Sequence, residues 1–131
     1  MSGELIADFS IRPAQSSRPE DFTARGEIRN VGGRGLRLSI APLSSPSLAL
    51  EIVRAGGERV PLPPPAVPGA MPETRLAPGE SYVVEFSAFV PQWTGKGKYR
   101  ARLRYLFQPR NPDADQWSGQ LFSEWATFEI A

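Results

Sequence analysis

The sequence predicts an all-β fold, in which seven or eight short strands form an antiparallel two-sheet sandwich. Apolar and polar residues alternate with a period of two in most segments, whereas the period of a helix is hardly seen. Fourteen prolines and twelve glycines interrupt the chain at short intervals, and these residue types mark turns. A chain of 131 residues suits one hydrophobic core, so residues 1–131 are predicted to form a single domain.

Three strands are predicted within the first forty residues, because each segment has apolar residues at every second position. The residues predicted to face the core are Leu5, Ala7, Phe9 and Ile11 in the first strand, Phe22, Ala24, Gly26 and Ile28 in the second, and Leu36, Leu38 and Ile40 in the third. The segment NVGGRG, residues 30–35, is predicted to be the turn between the second strand and the third.

A hairpin is predicted next, in the segment LALEIVRAGGERVPL at residues 48–62. Its predicted inward residues are Leu48, Leu50, Ile52 and Val60, and its predicted turn is Gly56–Gly57. Residues 61–80 follow without periodicity and contain repeated proline, which central strands exclude. They are predicted to form a long connection across the outside of the domain.

The remaining strands are predicted from three further alternating series. Their inward residues are Tyr82, Val84, Phe86 and Ala88, then Tyr99, Ala101, Leu103 and Tyr105, and finally Phe122, Ala126, Phe128 and Ile130. The polar segment QPRNPDADQWSGQ, residues 108–120, is predicted to be the loop before the last strand. Glu124 interrupts the last series, so the alternation leaves the start of that strand open.

Composition argues against catalysis. The chain has no cysteine and no histidine, which excludes disulfides, thiolate zinc sites and the commonest general base. The tetrapeptide GKGK at residues 95–98 is not a phosphate-binding loop, since it lacks both the leading glycine and the hydroxyl residue after lysine. We therefore predict a protein that is not an enzyme and that has no cofactor.

No metal site is predicted either. Counted from Asp113, Asp115 and Glu124 fall at the third and twelfth positions of a calcium-binding loop. However, Trp117 occupies the fifth position, where such a loop has a ligand, and Ser118 occupies the position of its glycine.

The stretch GKGKYRARLRY, residues 95–105, holds the most distinctive candidate site. Lys98, Arg100, Arg102 and Arg104 share one parity and are predicted to line one solvated face of a strand. One interpretation is a docking face for another protein, in particular an acidic one, for a polyanion or for a nucleic-acid backbone. A purely solvated face, whose charge protects a sheet edge, is the simpler alternative. Nucleic acid is disfavoured, because the net charge is only +1 and no aromatic residue shares this parity.

The solvent exposure of these cations depends on the residues of the strands beside them. If the last strand pairs with the basic one, its outward residues include Trp125 and Glu129. We then expect Trp125 to stack on a guanidinium and Glu129 to neutralise one cation. Arg37 is expected on the other side of the basic strand.

Two tryptophans are candidate partner contacts. Trp117 lies in the polar loop and could anchor a partner, although a loop tryptophan more often caps the core. Trp125 is the second candidate, next to the basic strand. Trp93 and Trp117 are separated by one strand, so we expect them at opposite ends of the domain, too far apart for a joint sugar-binding platform.

The turn chemistry resembles that of a known group of proteins. The segment EIRNVGGRGLRL is similar to the strand–NxG–strand corner of bacterial immunoglobulin-like modules, and LAPGESYVVEF followed by GKGKYRARLRY resembles their L-x-PGE and G-x-Y strand pair. The resemblance covers roughly residues 20–106, and it implies an immunoglobulin-like sandwich. That group includes adhesion-type spacers, accessory modules of carbohydrate-active enzymes and intracellular proteinase inhibitors.

We therefore expect a non-enzymatic protein-interaction or accessory module of immunoglobulin-like fold. The alternatives are an intracellular proteinase inhibitor acting through a loop at 61–75 or 106–120, and a carbohydrate-binding module using Trp117 or Trp125.

The N-terminus MSGELIADFS lacks the pattern of a signal peptide, and no apolar run reaches the roughly 20 residues of a membrane span. A soluble cytoplasmic protein is expected, and a protein whose leader has been removed is the alternative.

Overall fold

The computed structural model describes residues 4–38, 48–61, 73–108, 110–111 and 113–131. Within these ranges, a short 3-10 turn (Pro19–Asp21) accompanies eleven strands. The strands are β1 (Leu5–Arg12), β2 (Gln15–Ser16), β3 (Thr23–Asn30), β4 (Leu36–Leu38), β5 (Leu48–Arg54), β6 (Arg59–Val60), β7 (Thr74–Leu76), β8 (Ser81–Ser87), β9 (Gly97–Phe107), β10 (Gly119–Phe122) and β11 (Ala126–Ile130). The all-β prediction is confirmed, but the described residues form eleven strands and not the seven or eight expected.

The strands form three sheets. One sheet has the order β1-β3-β8, and a larger one has the order β2-β11-β9-β5-β6 with β10 also paired to β9. The third sheet contains only β4 and β7. All pairings are antiparallel except that of β2 with β11. Consequently β1 and β2, which follow each other closely in sequence, lie in different sheets.

The core forms where the two larger sheets face each other. Leu5, Ile28 and Val84 of the three-stranded sheet belong to one buried cluster with Leu103 of β9. The sheets approach most closely at Gly26, where a Cβ would lie 2.9 Å from Cδ2 of Leu103. Glycine is used here because another element lies against the backbone. A second cluster, centred on Phe128, fills the other end of the interior.

The predicted strand faces are largely confirmed. The buried residues include Phe22, Ala24 and Ile28 of the second predicted strand, Leu36 and Leu38 of the third, Leu48, Ile52 and Val60 of the hairpin, and Tyr99, Ala101, Leu103 and Tyr105 of the basic strand. Ile40 lies outside the described residues. The short period-two series are thus good predictors of which side chains are buried, since successive residues of a strand point to opposite faces.

Three expectations need correction. Ala88 does not face the core but is exposed, because its positive φ of 49° ends β8. Phe122 does not join the inward residues of the last strand, since it lies in a separate strand, β10, and is 37% exposed. The segment 61–80 is not free of strands, because β7 pairs with β4 there; residues 62–72 lie outside the described part of the chain.

A buried asparagine joins the two turn motifs of the sequence. Asn30 is fully buried, and its Nδ2 donates hydrogen bonds to the carbonyls of Arg34 at 2.8 Å and Leu76 at 3.0 Å. Its Oδ1 accepts a bond from the N–H of Gly32 at 3.0 Å. Its own backbone N–H bonds to the carbonyl of Glu80 at 3.0 Å. The NxG turn and the L-x-PGE turn, nearly fifty residues apart, therefore meet at one side chain.

None of the described elements is a helix long and apolar enough to cross a membrane.

Candidate partner-binding face

Strand β9 is the middle of the larger sheet. It pairs with β5 along one edge and with β11 and β10 along the other. Tyr99, the first inward residue of the series, is 3% exposed, and the inward residues after it are fully buried. The alternate residues, Lys98, Arg100, Arg102 and Arg104, lie on the outer side of the sheet, and Lys98 and Arg100 are exposed. We call the outer side of β9 and its neighbouring strands the basic face.

Two arginines of this face stack on aromatic rings. The guanidinium carbon of Arg100 lies 4.7 Å from the ring centroid of Trp125. That of Arg102 lies 4.4 Å from the centroid of Trp125 and 3.9 Å from the centroid of Phe122. The expected stacking of Trp125 is thus confirmed. These four residues are called the stacked row, and both of its cations are within cation–π distance of a ring.

Phe122 was not predicted in the stacked row, because its parity matched the inward residues of the last strand. The structure interrupts that series at Ser123, whose N–H donates to the carbonyl of Leu103 and whose Oγ accepts from the N–H of the same residue. Both bonds hold Ser123 in a buried position, so the residues before it belong to another strand. Glu124, a charged residue in an apolar series, was the one sequence signal of this break.

The carboxylate of the basic face comes from β5. Glu51 accepts a hydrogen bond from Nε of Arg102 at 2.7 Å, and its other oxygen lies 3.6 Å from Arg104 and 3.8 Å from Arg59. Only 11% of the Glu51 side chain is exposed. Glu129 lies opposite Lys98 in the register of β11, but the two form no ion pair within the described residues. The neutralising acid is therefore Glu51 and not the expected Glu129.

Arg37 is not beside the basic strand, contrary to expectation, since β5 occupies that side. It lies in β4, where it donates hydrogen bonds to both oxygens of Asp115 at 2.9 and 3.0 Å, to both oxygens of Glu73 at 2.8 and 3.1 Å, and to Asp113. Its hydrogen bonds hold the pKa of Asp115 below the ordinary value. The acids of the polar loop thus fasten that loop to β4.

Arg100 is the least committed arginine of the face. Among the described residues it forms no hydrogen bond and no ion pair, and its one side-chain interaction is with Trp125. Arg102 uses only Nε for Glu51, so within the described chain its two terminal nitrogens also donate no hydrogen bond. An arginine guanidinium has five N–H donors. These two side chains therefore keep donors available for an external anion.

The two outer faces of the domain differ in charge. The basic face has five cations, counting Arg59, against the carboxylates of Glu51 and Glu129, a surplus of three positive charges. The outer face of the three-stranded sheet is balanced, with Arg12, Arg25 and Arg29 against Asp8, Glu27 and Glu85. There, Glu27 pairs with Arg29 at 2.9 Å and with Arg25 at 3.6 Å. Positive potential is concentrated on one side of the molecule.

The tryptophans occupy three different environments. Trp117 is 2% exposed, and its ring centroid lies 5.2 Å from that of Tyr105. It is a core residue, which is the capping alternative, and it offers no surface to a partner. Trp93 is 60% exposed, in a turn closed by a 3.0 Å bond from the N–H of Thr94 to the carbonyl of Pro91. Only Trp125 belongs to the basic face.

Comparison of the chain with known protein families, with curated proteins and with solved structures finds no match.

Proposed function

We propose that this chain is a non-enzymatic protein-interaction module of immunoglobulin-like fold that binds an acidic protein through the basic face. One observation carries the proposal: Arg100 and Arg102 are stacked on Trp125 while most of their N–H donors have no partner in the described chain. Arginine and aromatic residues are the types that contribute most to protein interfaces. An acidic surface would supply the acceptors that these donors lack.

The immunoglobulin-like part of the proposal is supported by strand order. In immunoglobulin sandwiches, strands A, B and E share one sheet and strands C, F and G share the other. The order β1-β3-β8 corresponds to A-B-E, and β5-β9-β11 corresponds to C-F-G. One departure is that β7 pairs with β4, whereas strand D of an immunoglobulin constant domain joins strand E.

The electrostatics favour a protein over nucleic acid as the partner. Nucleic-acid affinity depends on several simultaneous phosphate contacts. Here Glu51 already engages Arg102 and lies beside Arg104 and Arg59, so Lys98 and Arg100 remain as the exposed cations of β9. A local acidic patch of a protein needs fewer contacts, and the aromatic rings of the stacked row can add apolar contact area.

Binding of a fluorescently labelled polyglutamate peptide, followed by anisotropy at low salt, tests the proposal. The native protein should bind, and Arg100→Glu should weaken binding by about tenfold or more, as expected for an interface arginine. Arg25→Glu is the matched control, because Arg25 is also exposed on a strand but belongs to the balanced face. Equal binding by both variants, or no binding by the native protein, would contradict the proposal.

A second candidate function, inhibition of a proteinase, rests on Trp93. This exposed side chain lies on an anchored turn, with Val90 and Thr94 buried on either side of it. The side-chain hydroxyl of Tyr99 also donates to the carbonyl of Gly95, which closes the base of the loop. An exposed residue on a rigid loop is pre-organised for insertion into a pocket, and this loop differs from those at 61–75 and 106–120.

The inhibitor function is tested with a serine proteinase that cleaves after aromatic residues. Inhibition should be lost in Trp93→Ala, while Trp125→Ala should leave it unchanged. Full proteinase activity in the presence of the native protein would remove this candidate without affecting the acidic-partner proposal.

A further inference from the structure

We infer that the basic face recognises an extended acidic segment whose carboxylates occur at every second residue, as in Glu-x-Glu or Asp-x-Asp. This inference rests on the proposed function, because it specifies the acidic partner for that same face. Arg100 and Arg102 would each bind one carboxylate, beside the Trp125 ring on which both are stacked. The recognised feature is thus a spacing of charges, and not merely a total charge.

The spacing follows from strand geometry. Arg100 and Arg102 lie on one strand with one residue between them, and each strand residue advances about 3.3 Å, so their attachment points are about 6.6 Å apart. An extended peptide has the same rise, so its side chains at positions i and i+2 project from one side with the same separation. Two carboxylates placed in this way repeat the spacing of the two arginine attachment points. Adjacent carboxylates project to opposite sides, so only one of them can reach the face.

Stacking of the two arginines makes the face selective for peptides with this charge spacing. Free arginine side chains have many rotamers and could adapt to almost any arrangement of anions. Here Trp125 lies within 4.7 Å of both guanidinium carbons, and Phe122 also contacts that of Arg102. These contacts restrict both groups before a partner arrives, which lowers the ordering cost for a matching ligand.

Glu51 shows how a carboxylate is bound on this face. Glu51 accepts a hydrogen bond from Nε of Arg102 at 2.7 Å, and the two terminal nitrogens of that guanidinium form no hydrogen bond in the described chain. A partner carboxylate can therefore bind the outer side of Arg102 without displacing Glu51. Arg100 has no such internal acceptor among the described residues, so it can offer a two-donor contact to the second carboxylate.

The experiment compares two labelled peptides of identical composition. In one, glutamate and threonine alternate; in the other, pairs of adjacent glutamates alternate with pairs of threonines, so that no two glutamates lie two residues apart. Anisotropy titrations at equal salt should show the alternating peptide binding about tenfold more tightly, because it makes one more charge-assisted contact of this kind. In Arg100→Gln the two affinities should become equal, whereas Arg25→Gln should preserve the preference.

The outcomes separate this inference from the proposed function. Equal affinity of the native protein for both peptides, or tighter binding of the peptide with paired glutamates, would overturn the spacing rule but not the proposal of an acidic partner. No binding of either peptide would overturn both. Arg100 is exposed and stacks on the ring of Trp125, so its variant should fold, and an unchanged circular dichroism melt confirms this.

Discussion

Glu51 and Arg102, on neighbouring strands, form a 2.7 Å hydrogen bond between carboxylate and guanidinium, on the outer side of the sheet. Their strand register places them directly opposite each other. Such cross-strand pairs of opposite charge stabilise a sheet. The same carboxylate reduces the positive potential of the face that we propose as the binding surface.

Replacement of Glu51 by glutamine should therefore have two opposite effects. The free energy of unfolding should fall by about 1–3 kcal/mol, because partly buried arginine donors lose a charged acceptor. The affinity for an acidic peptide should rise severalfold, because one negative charge leaves the face. Urea denaturation and peptide anisotropy measure the two quantities. Glu85→Gln, on the balanced face, is the control and should change neither; unchanged peptide affinity in Glu51→Gln would contradict the role of this carboxylate.

Asn30 should be among the residues whose replacement by alanine destabilises the fold most. The change leaves the carbonyls of Arg34 and Leu76 and the N–H of Gly32 without their side-chain partner. Loss of these buried bonds should lower the free energy of unfolding by about 2–4 kcal/mol. Urea denaturation provides the measurement, and Asn111→Ala, at an exposed position, should change stability little. A comparable loss in both variants would show that the Asn30 bonds are not the cause.

The Arg37–Asp115 contact should make stability dependent on acid pH. Hydrogen bonds from Arg37 lower the pKa of Asp115 in the folded protein below its ordinary value of 3.8. The contact therefore contributes stability in full above that ordinary value and loses it as the pH falls through the lower pKa of the folded state. The stability difference between the native protein and Asp115→Asn should accordingly be largest near neutral pH and shrink in acid.

Thermal melts of both proteins across the acid range provide this measurement. Glu85→Gln serves as the control for the loss of one carboxylate, because Glu85 forms no ion pair within the described residues. A stability difference for Asp115→Asn that does not change with pH would refute the electrostatic explanation.

Gly26→Ala should destabilise the protein through the facing sheet. The added Cβ would lie 2.9 Å from Cδ2 of Leu103 and 3.5 Å from Cγ1 of Val84, so the free energy of unfolding should fall by about 1–3 kcal/mol. Gly33→Ala is the control, because its Cβ would meet no atom within 4 Å. In a double-mutant cycle with Leu103→Ala, the two losses should sum to more than the loss in the double variant, since the smaller side chain leaves room for the new Cβ. Additive losses would show that this contact is not the cause.

The face of each long strand could be predicted from the sequence. Tyr99, Ala101, Leu103 and Tyr105 are buried and the four cations that alternate with them are not, because alternation within one strand depends only on local backbone geometry. The turn residues were informative for the same reason, as in the Gly56–Gly57 turn of the β5–β6 hairpin. The short strands β2, β6, β7 and β10 have too few residues to show a period.

Which strands lie beside each other is determined only by the tertiary structure. The sequence alone determined that four cations share one face of β9 and that Trp125 could stack on them. It did not determine that Glu51 would be their carboxylate, that Phe122 would turn outward, or that Trp117 would be buried against Tyr105. These contacts join residues that are far apart in the chain, and they form only when whole sheets pack together. Alternation of apolar and polar residues shows only which side of a single strand each residue occupies.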